Sequence, residues 1–229
     1  MKTSHSYALL LLIFAVTSCV ERQPIEGVLS LNPKYTLIQE VVSIANCSSP
    51  FGTYTTEVHS LADGSCYFIQ KFSDMETPFR VHVDSIYQGY VMDETNVVLD
   101  TLSTEDVEMV RSHEIHKMSI DPNHFYSKLQ FKKKVTHLEK DHELYLGEDR
   151  LGNPVRLLYS PDEKLISKIE LRNPKDTTQT IELFYDMWVQ SSYGEMAKQI
   201  HIVQAQKDTF FFDFNTLEVL GEHGTEVVI

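Results

Sequence analysis

Short segments that alternate between apolar and polar residues recur along most of this chain and constrain its fold more than any other feature. The first, residues 53–61, is followed by Ala62-Asp63-Gly64, which contains the Asp-Gly pair that hairpin turns favour, and residues 65–72 then return. Because short connections join antiparallel neighbours, the pattern predicts a meander of strands. The further predicted strands are residues 79–84, 86–92, 97–99, 142–147, 154–159, 165–171, 178–185, 196–205 and 209–214.

Three segments show helical rather than strand-like patterns. Residues 34–46 follow Pro33 and carry an apolar stripe, residues 104–118 begin after a Ser103-x-x-Asp106 capping pattern, and Asp121-Pro122 opens a short helix to about residue 129. Lys132-Lys133-Lys134 is expected at a solvated edge, and residues 186–194, with Trp188, are expected to form a loop.

These elements predict a mainly β fold with helices (α+β). Open twisted sheets rarely pass ~10 strands without curling. We therefore expect a strongly curved antiparallel half-barrel of about 10–12 strands, with helices covering its concave face. Residues 33–229 form this single domain.

The N-terminus has the parts of a secretory signal. Lys2 precedes the apolar run Tyr7–Val16, which is too short for the ~20 residues of a spanning helix. Val16-Thr17-Ser18-Cys19 resembles a bacterial lipobox, which implies lipidation of Cys19, a signal peptide over residues 1–18 and a tether over residues 19–32. An ordinary signal peptide cut nearby and an uncleaved anchor remain alternatives.

The chain is acidic, with a formal net charge of −13. This charge argues against a nucleic-acid partner and against electrostatic docking to anionic lipid headgroups. Membrane attachment would therefore have to come from the lipid on Cys19 itself.

Two cysteines remain once Cys19 is assigned to lipidation. Cys47 and Cys66 would close a loop of about 20 residues, for which the chain-entropy estimate is about 3 kcal/mol of stabilisation. A Cys47–Cys66 disulfide and two buried thiols are both open at this point.

The order of elements resembles the unclosed β-barrel (Lol-type) superfamily of lipoprotein carriers and receptors of the bacterial envelope. The matching features are the leading helix, the first strand pair, the helical insertion over residues 104–129 and the closing hairpin over residues 196–214. The receptor member of that superfamily is itself a lipoprotein, in agreement with Cys19. The resemblance implies binding of a lipid acyl chain or a lipidated protein in an apolar cavity on the concave face.

Alternation also predicts which large apolar side chains share the inward face and could line such a cavity, although any core would bury the same residues. The candidates are Phe68, Phe72, Val155, Leu157, Tyr159, Ile181, Leu183, Tyr185, Phe210, Phe212 and Phe214.

No catalytic site is apparent in the sequence, so we predict a protein that is not an enzyme and needs no cofactor. It has no Gly-x-Ser-x-Gly elbow and no glycine-rich phosphate loop. His113 and His116 are three residues apart, unlike the zinc-protease motif, and are expected on a solvated helix face, with no metal.

The sequence thus predicts a lipid-anchored protein of the bacterial envelope that faces the periplasm, with the outer membrane preferred over the inner one. Its partners would be a lipid acyl chain or a lipidated protein, and the role would be lipid or lipoprotein sorting. The alternatives are a structural or interaction lipoprotein with a filled core, and a metal-binding lipoprotein.

Overall fold

The computed structural model describes residues 29–229. These residues form fourteen strands, three short helices and one 3₁₀ segment, Pro33–Leu37. The first six strands are β1 (Ile38–Ser49), β2 (Gly52–Leu61), β3 (Cys66–Phe72), β4 (Phe79–Val83), β5 (Gly89–Met92) and β6 (Val98–Thr101). The helices α1 (Thr104–Arg111), α2 (Ile115–Ile120) and α3 (Pro122–Phe125) follow. The remaining strands are β7 (Ser127–His137), β8 (Lys140–Glu148), β9 (Pro154–Ser160), β10 (Leu165–Asn173), β11 (Asp176–Ser191), β12 (Gly194–Gln204), β13 (Asp208–Gly221) and β14 (Gly224–Val227).

All fourteen strands belong to one antiparallel sheet. Its order is β6-β5-β4-β3-β2-β1-β13-β12-β11-β10-β9-β8-β7, with β14 paired to β13. Two meanders are therefore joined by the pairing of β1 with β13, and β6 and β7 are the two free edges of this path. The predicted open half-barrel with a mainly β composition is confirmed, although it contains more strands than the 10–12 expected.

The predicted leading helix over residues 34–46 is wrong. Only Pro33–Leu37 is helical, as a 3₁₀ segment, and β1 begins directly after it. The stripe with Val41 and Ala45 also satisfies alternation, because Val41, Ser43, Ala45 and Cys47, four of the five buried residues of β1, occupy every second position. Central pairing with β2 on one side and β13 on the other favours the strand for this β-branched segment.

Three other expectations need correction. Residues 186–191, including Trp188, continue β11 instead of forming a loop. The insertion is three short helices rather than one long helix and one short helix, and its predicted continuation to residue 129 ends at Phe125. Besides β1, two strands were not predicted, β7 and β14. β7 carries the basic run, which therefore lies at a sheet edge as expected.

The core lies between the concave face of the sheet and the helices. Its main cluster joins inward residues of β1, β2 and β8–β13 with residues of α2 and α3. Leu29 and Leu31 pack against this cluster, and Tyr159 donates a hydrogen bond from Oη to the Ser30 carbonyl oxygen at 2.7 Å. Leu29, Ser30 and Leu31 fall within the predicted tether of residues 19–32, and this last part of it is fixed to the half-barrel.

Candidate functional site

The concave face carries all eleven side chains that alternation placed there. Eight are buried in the main cluster: Val155, Leu157, Tyr159, Ile181, Leu183, Tyr185, Phe212 and Phe214. Phe72 and Phe210 are half-buried against that cluster, and Phe68 is buried in a smaller one. In this conformation they pack on one another and on the helices, so their role as ligand-lining residues stays a prediction.

The helical insertion covers the concave face between the two sheet edges. We call residues 102–126 the cover. Its apolar side chains belong to all three core clusters. Val107 and Val110 lie in the smallest cluster, and Ile120 lies in the second. The members of the main cluster are Ile115, Met118, Phe125 and Tyr126. A cavity of about 30 Å³ lies between the cover and β10–β11, which is enough for about one water molecule.

Several polar contacts also hold the cover to the sheet. Arg111 donates from Nη1 to the Gly64 carbonyl oxygen at 3.0 Å, and His116 donates from Nε2 to the Ala197 carbonyl oxygen at 2.8 Å. Two further contacts are Tyr185 Oη to the Ile115 carbonyl oxygen at 3.2 Å, and Lys175 Nζ to Asp106 Oδ1 at 2.5 Å. The first three are buried, whereas the Lys175–Asp106 pair is solvent-exposed and therefore contributes little.

A buried ion pair lies within the cover. Arg111 Nε is 2.9 Å from Glu114 Oε1, and both side chains are at most 2% exposed. Burial raises the pKa of Glu114 to about 7, against the opposing effect of the Arg111 charge. Within residues 29–229, Arg111 Nη2 is buried without a hydrogen-bond partner. The cover therefore encloses charge that is incompletely satisfied, which is costly in a dry interior.

Tyr87 joins the cover to both halves of the sheet. It lies in the β4–β5 turn with φ of 66°, and its hydroxyl is 2.8 Å from His124 Nε2 on α3. The Arg111 guanidinium carbon lies 4.1 Å from the centre of the Tyr87 ring, and that of Arg150, in the β8–β9 turn, lies 3.1 Å from it. We call Tyr87, Arg111, His124 and Arg150 the Tyr87 cluster. It connects turns from opposite sides of the unclosed barrel.

The histidines are placed differently from the expectation of a solvated helix face. His116 is buried against Phe214, and burial lowers its pKa to about 4. His113 is half-buried against Phe68, and its Nδ1 donates to the Met109 carbonyl oxygen at 3.1 Å. Across the described chain, no group of three or more His, Cys, Asp or Glu residues stands close enough together to hold a metal ion.

Of the two possibilities left open for Cys47 and Cys66, the structure has the two buried thiols, because both cysteines are free and buried. Cys47 pairs with Tyr54 of β2, and Cys66 pairs with Ser60 of the same strand. Six strand residues span about 20 Å, far beyond the ~7 Å that a disulfide allows between Cα atoms. Burial raises the pKa of Cys47 to about 11 and is also the largest cause of the raised pKa of Cys66.

A larger cavity, about 750 Å³, is lined by residues of β1, β2, β3, β11, β12 and β13. Two of the predicted cavity residues, Phe72 and Phe212, are among them. However, the inward-pointing Cys47, Tyr54, Ile200 and Phe212 are only 1–6% exposed, so an open space of this size cannot lie against their side chains. The cavity therefore opens on the outer face, and we call it the outer groove. The residues that present side chains to it are Asn46, Ser48, Thr53, Thr55, Lys71, Ser73, Asp186, Gln199, Phe211 and Asp213.

Sequence reasoning missed the Tyr87 cluster and the Arg111–Glu114 pair. The i,i+3 spacing of Arg111 and Glu114 is visible in the sequence. Their burial depends on the approach of the β2–β3 turn and the β4–β5 turn, which are distant in sequence, and no local pattern reports that approach.

None of the helices within residues 29–229 has the length and apolar composition that crossing a membrane requires.

Comparison with known proteins supports the fold. No protein-family model and no curated protein sequence matches this chain. Among solved structures, a LolA superfamily protein from Nitrosomonas europaea has a TM-score of 0.59 and 12% identity, over 81% of this chain and 90% of that one. A domain of a proposed outer membrane lipoprotein-sorting protein from Vibrio parahaemolyticus has a TM-score of 0.54 and 10% identity, over 79% and 85%. The predicted resemblance to the Lol-type superfamily is thus confirmed for the fold.

Proposed function

We propose that this protein binds an acyl chain of a lipid or lipidated protein on its concave face and serves lipid or lipoprotein sorting in the bacterial envelope. A lipid on Cys19 would hold the half-barrel at a membrane, facing the periplasm. The similar solved structures support this proposal, because they share the fold and one is described as a lipoprotein-sorting protein.

The observation that carries the proposal is how the concave face is covered. Its large apolar side chains are shielded by three short helices rather than by further strands. The helices are attached partly through the hydrogen bond from Arg111 to the Gly64 carbonyl oxygen and through the Tyr87 cluster. Helices of four to eight residues have little stability of their own, so their position depends on these contacts.

Movement of the cover would expose an apolar surface suited to an acyl chain. Each CH₂ group that the chain buries there contributes about 0.8 kcal/mol, so a long acyl chain could offset the loss of the cover's own contacts. Because Phe214 packs against His116 and Tyr185 bonds to Ile115, the same inward residues would contact either the cover or the ligand.

The small space beneath the cover favours the second candidate, an interaction lipoprotein with a filled core. About 30 Å³ cannot hold an acyl chain without movement of the cover. The two candidates share a fold and differ only in whether the concave face ever takes up a ligand.

Native mass spectrometry separates these candidates. The chain from Val20 onward would be purified, delipidated and mixed with palmitic acid or a tripalmitoylated cysteine peptide. We expect a one-to-one complex with at least one of the two acyl ligands and none with the unmodified peptide. If neither acylated ligand binds, the carrier proposal fails and the filled-core candidate stands.

A further inference from the structure

The outer groove is a second site, separated from the concave face by the thickness of the sheet. None of the cover residues lines it, and none of the contacts that hold the cover reaches it. Its volume of about 750 Å³ lies within the ~300–1,000 Å³ typical of small-molecule sites. Neither the cover nor the proposed binding of an acyl chain on the concave face involves this space.

The strand register places the polar groups of the groove side by side. Asn46 on β1 is paired with Thr55 on β2 and with Asp213 on β13, and Asp213 is paired in turn with Gln199 on β12. Directly opposite residues of neighbouring antiparallel strands have Cβ atoms about 5 Å apart. An amide, a hydroxyl, a carboxylate and a second amide therefore form one continuous row across four strands.

An exposed aromatic ring stands beside this row. Phe211 is paired with Ser48, and its side chain is 54% exposed. Ser48 is paired on its other side with Thr53, which gives the groove a second row of hydroxyls next to the ring. A large apolar side chain in this position is exposed to solvent and faces the same space as the polar row.

The charges of the groove are held in place by neighbouring groups. Gln199 donates from Nε2 to Asp213 Oδ1 at 3.1 Å, and Lys198 Nζ lies 3.2 Å from the same oxygen. These contacts lower the pKa of Asp213, so that it is an ionised acceptor at neutral pH. Asp186 is likewise oriented by His201 Nδ1 at 2.7 Å.

This chemistry disfavours two ligand classes. Two carboxylates against Lys71 disfavour a phosphate or another anion. Apolar atoms make up most of the exposed lining of the groove, but hydroxyls, amides and carboxylates lie among them, and an acyl chain would leave these polar groups without hydrogen-bond partners. A hydroxyl-rich, uncharged ligand meets what is present, because its hydroxyls can both donate to Asp213 and exchange hydrogen bonds with the two amides.

We propose that the outer groove binds a neutral saccharide. The face of a sugar ring packs on Phe211, and its hydroxyls bond to Asn46, Asp213 and Gln199. The acyl site on the concave face and the saccharide site on the outer face are then independent, and a protein of the envelope could contact a glycan with one face and a lipid with the other.

Isothermal titration calorimetry of the full-length protein in detergent tests this proposal with three named probes: chitotetraose, maltotetraose and cellotetraose. We expect saturable binding of at least one of them. Phe211→Ala and Asn46→Ala should each weaken that binding tenfold or more, and both positions are exposed, so folding should be retained.

Tyr67→Ala is the matched control. Tyr67 is another exposed aromatic side chain of the outer face, 44% exposed and stacked on His82, but it lies outside the groove. The proposal predicts wild-type saccharide binding for this variant. It is overturned if none of the three saccharides binds at millimolar concentration, or if Phe211→Ala and Tyr67→Ala bind equally well.

Discussion

Arg111 and Glu114 form a buried ion pair at positions where a protein core usually has apolar side chains. Such pairs contribute little net stability, because the cost of removing two charges from water offsets their attraction. Arg111 Nη2 also lacks a partner in the described residues, and the guanidinium lies against the rings of Tyr87 and Phe125. At the scale of single residues, the cover thus contains a buried charge pair that adds little net stability, and the Tyr87 ring is the part of this arrangement that lies outside the cover.

Glu114 should give the protein a characteristic pH dependence. Because burial raises its pKa from 4.5 to about 7, the folded state keeps this proton over a range in which the unfolded chain has released it. Its contribution to the free energy of unfolding is full below pH 4.5 and is lost as pH rises through 7. His116 acts in the opposite direction: burial lowers its pKa from 6.5 to about 4, so its contribution is full above pH 6.5 and is lost as pH falls through 4.

The substitution Glu114→Gln isolates the first contribution. Urea unfolding at pH 4.5, 5.5 and 7 should show that the free energy of unfolding of the variant, relative to wild type, increases steadily with pH. A difference that stays constant over this range would contradict a raised pKa for Glu114.

Arg150 should control how often the cover opens. It is solvent-exposed, and its contact with the Tyr87 ring is worth about 0.5–1 kcal/mol at such a site. Arg150→Ala should therefore increase opening about 2- to 5-fold, measured as faster hydrogen exchange of the amides in α1–α3. Arg156→Ala removes another exposed arginine, one paired with Glu170 away from the cover, and should leave exchange unchanged. Equal hydrogen exchange in the two variants would show that Arg150 does not control opening of the cover.

At the scale of elements, the sequence predicts most strands but not the first one. Where one face of a strand is buried, alternation is strong, and β2, β9 and β13 could be predicted from it. In β1 the apolar residues fit a helical stripe as well as a strand, and the choice depends on pairing with β13, about 170 residues away. The same limit applies to the site: the inward apolar residues follow from alternation, whereas the Tyr87 cluster depends on turns that meet only in the folded protein.

The packing of α1 on β5 depends on a glycine. A Cβ atom on Gly89 would lie 2.7 Å from Val107 Cγ2 and 3.1 Å from Leu102 Cβ. Gly89→Ala should displace α1 and lower the free energy of unfolding by about 1–3 kcal/mol, measured by urea denaturation.

Combination with Val107→Ala provides the control for that prediction. Because the smaller side chain removes the closest contact, the double variant should lose less stability than the sum of the two single variants. Strictly additive effects would show that the contact between Gly89 and Val107 does not set the position of α1.

At the scale of the whole molecule, the protein combines a predicted membrane anchor with an apolar concave face and a cover. The anchor lies outside the described residues and stays a prediction from the sequence. A half-barrel that is fixed near its first described residue would keep its concave face close to the bilayer, at a distance set by residues 19–28.

Cys19→Ala tests the anchor. We expect the variant to move from the membrane to the soluble fraction of fractionated cells, because the acidic body offers no electrostatic attachment to anionic lipids. Ser18→Thr changes the residue directly before Cys19 but keeps the cysteine, so it should reduce membrane association less than Cys19→Ala does. Labelling with radioactive palmitate would report lipidation directly. Unchanged membrane association of Cys19→Ala would exclude the lipid anchor as the means of attachment.

Entry of an acyl chain into the concave face can be measured directly with the single tryptophan of the chain. Trp188 is half-buried against the main cluster and stacks on Tyr185, with ring centres 5.4 Å apart. Titration with a brominated fatty acid should quench Trp188 fluorescence in a saturable manner, more rapidly in Arg150→Ala, and unbrominated palmitic acid should compete. Quenching that is absent, or that rises linearly without saturation or competition, would contradict binding on the concave face.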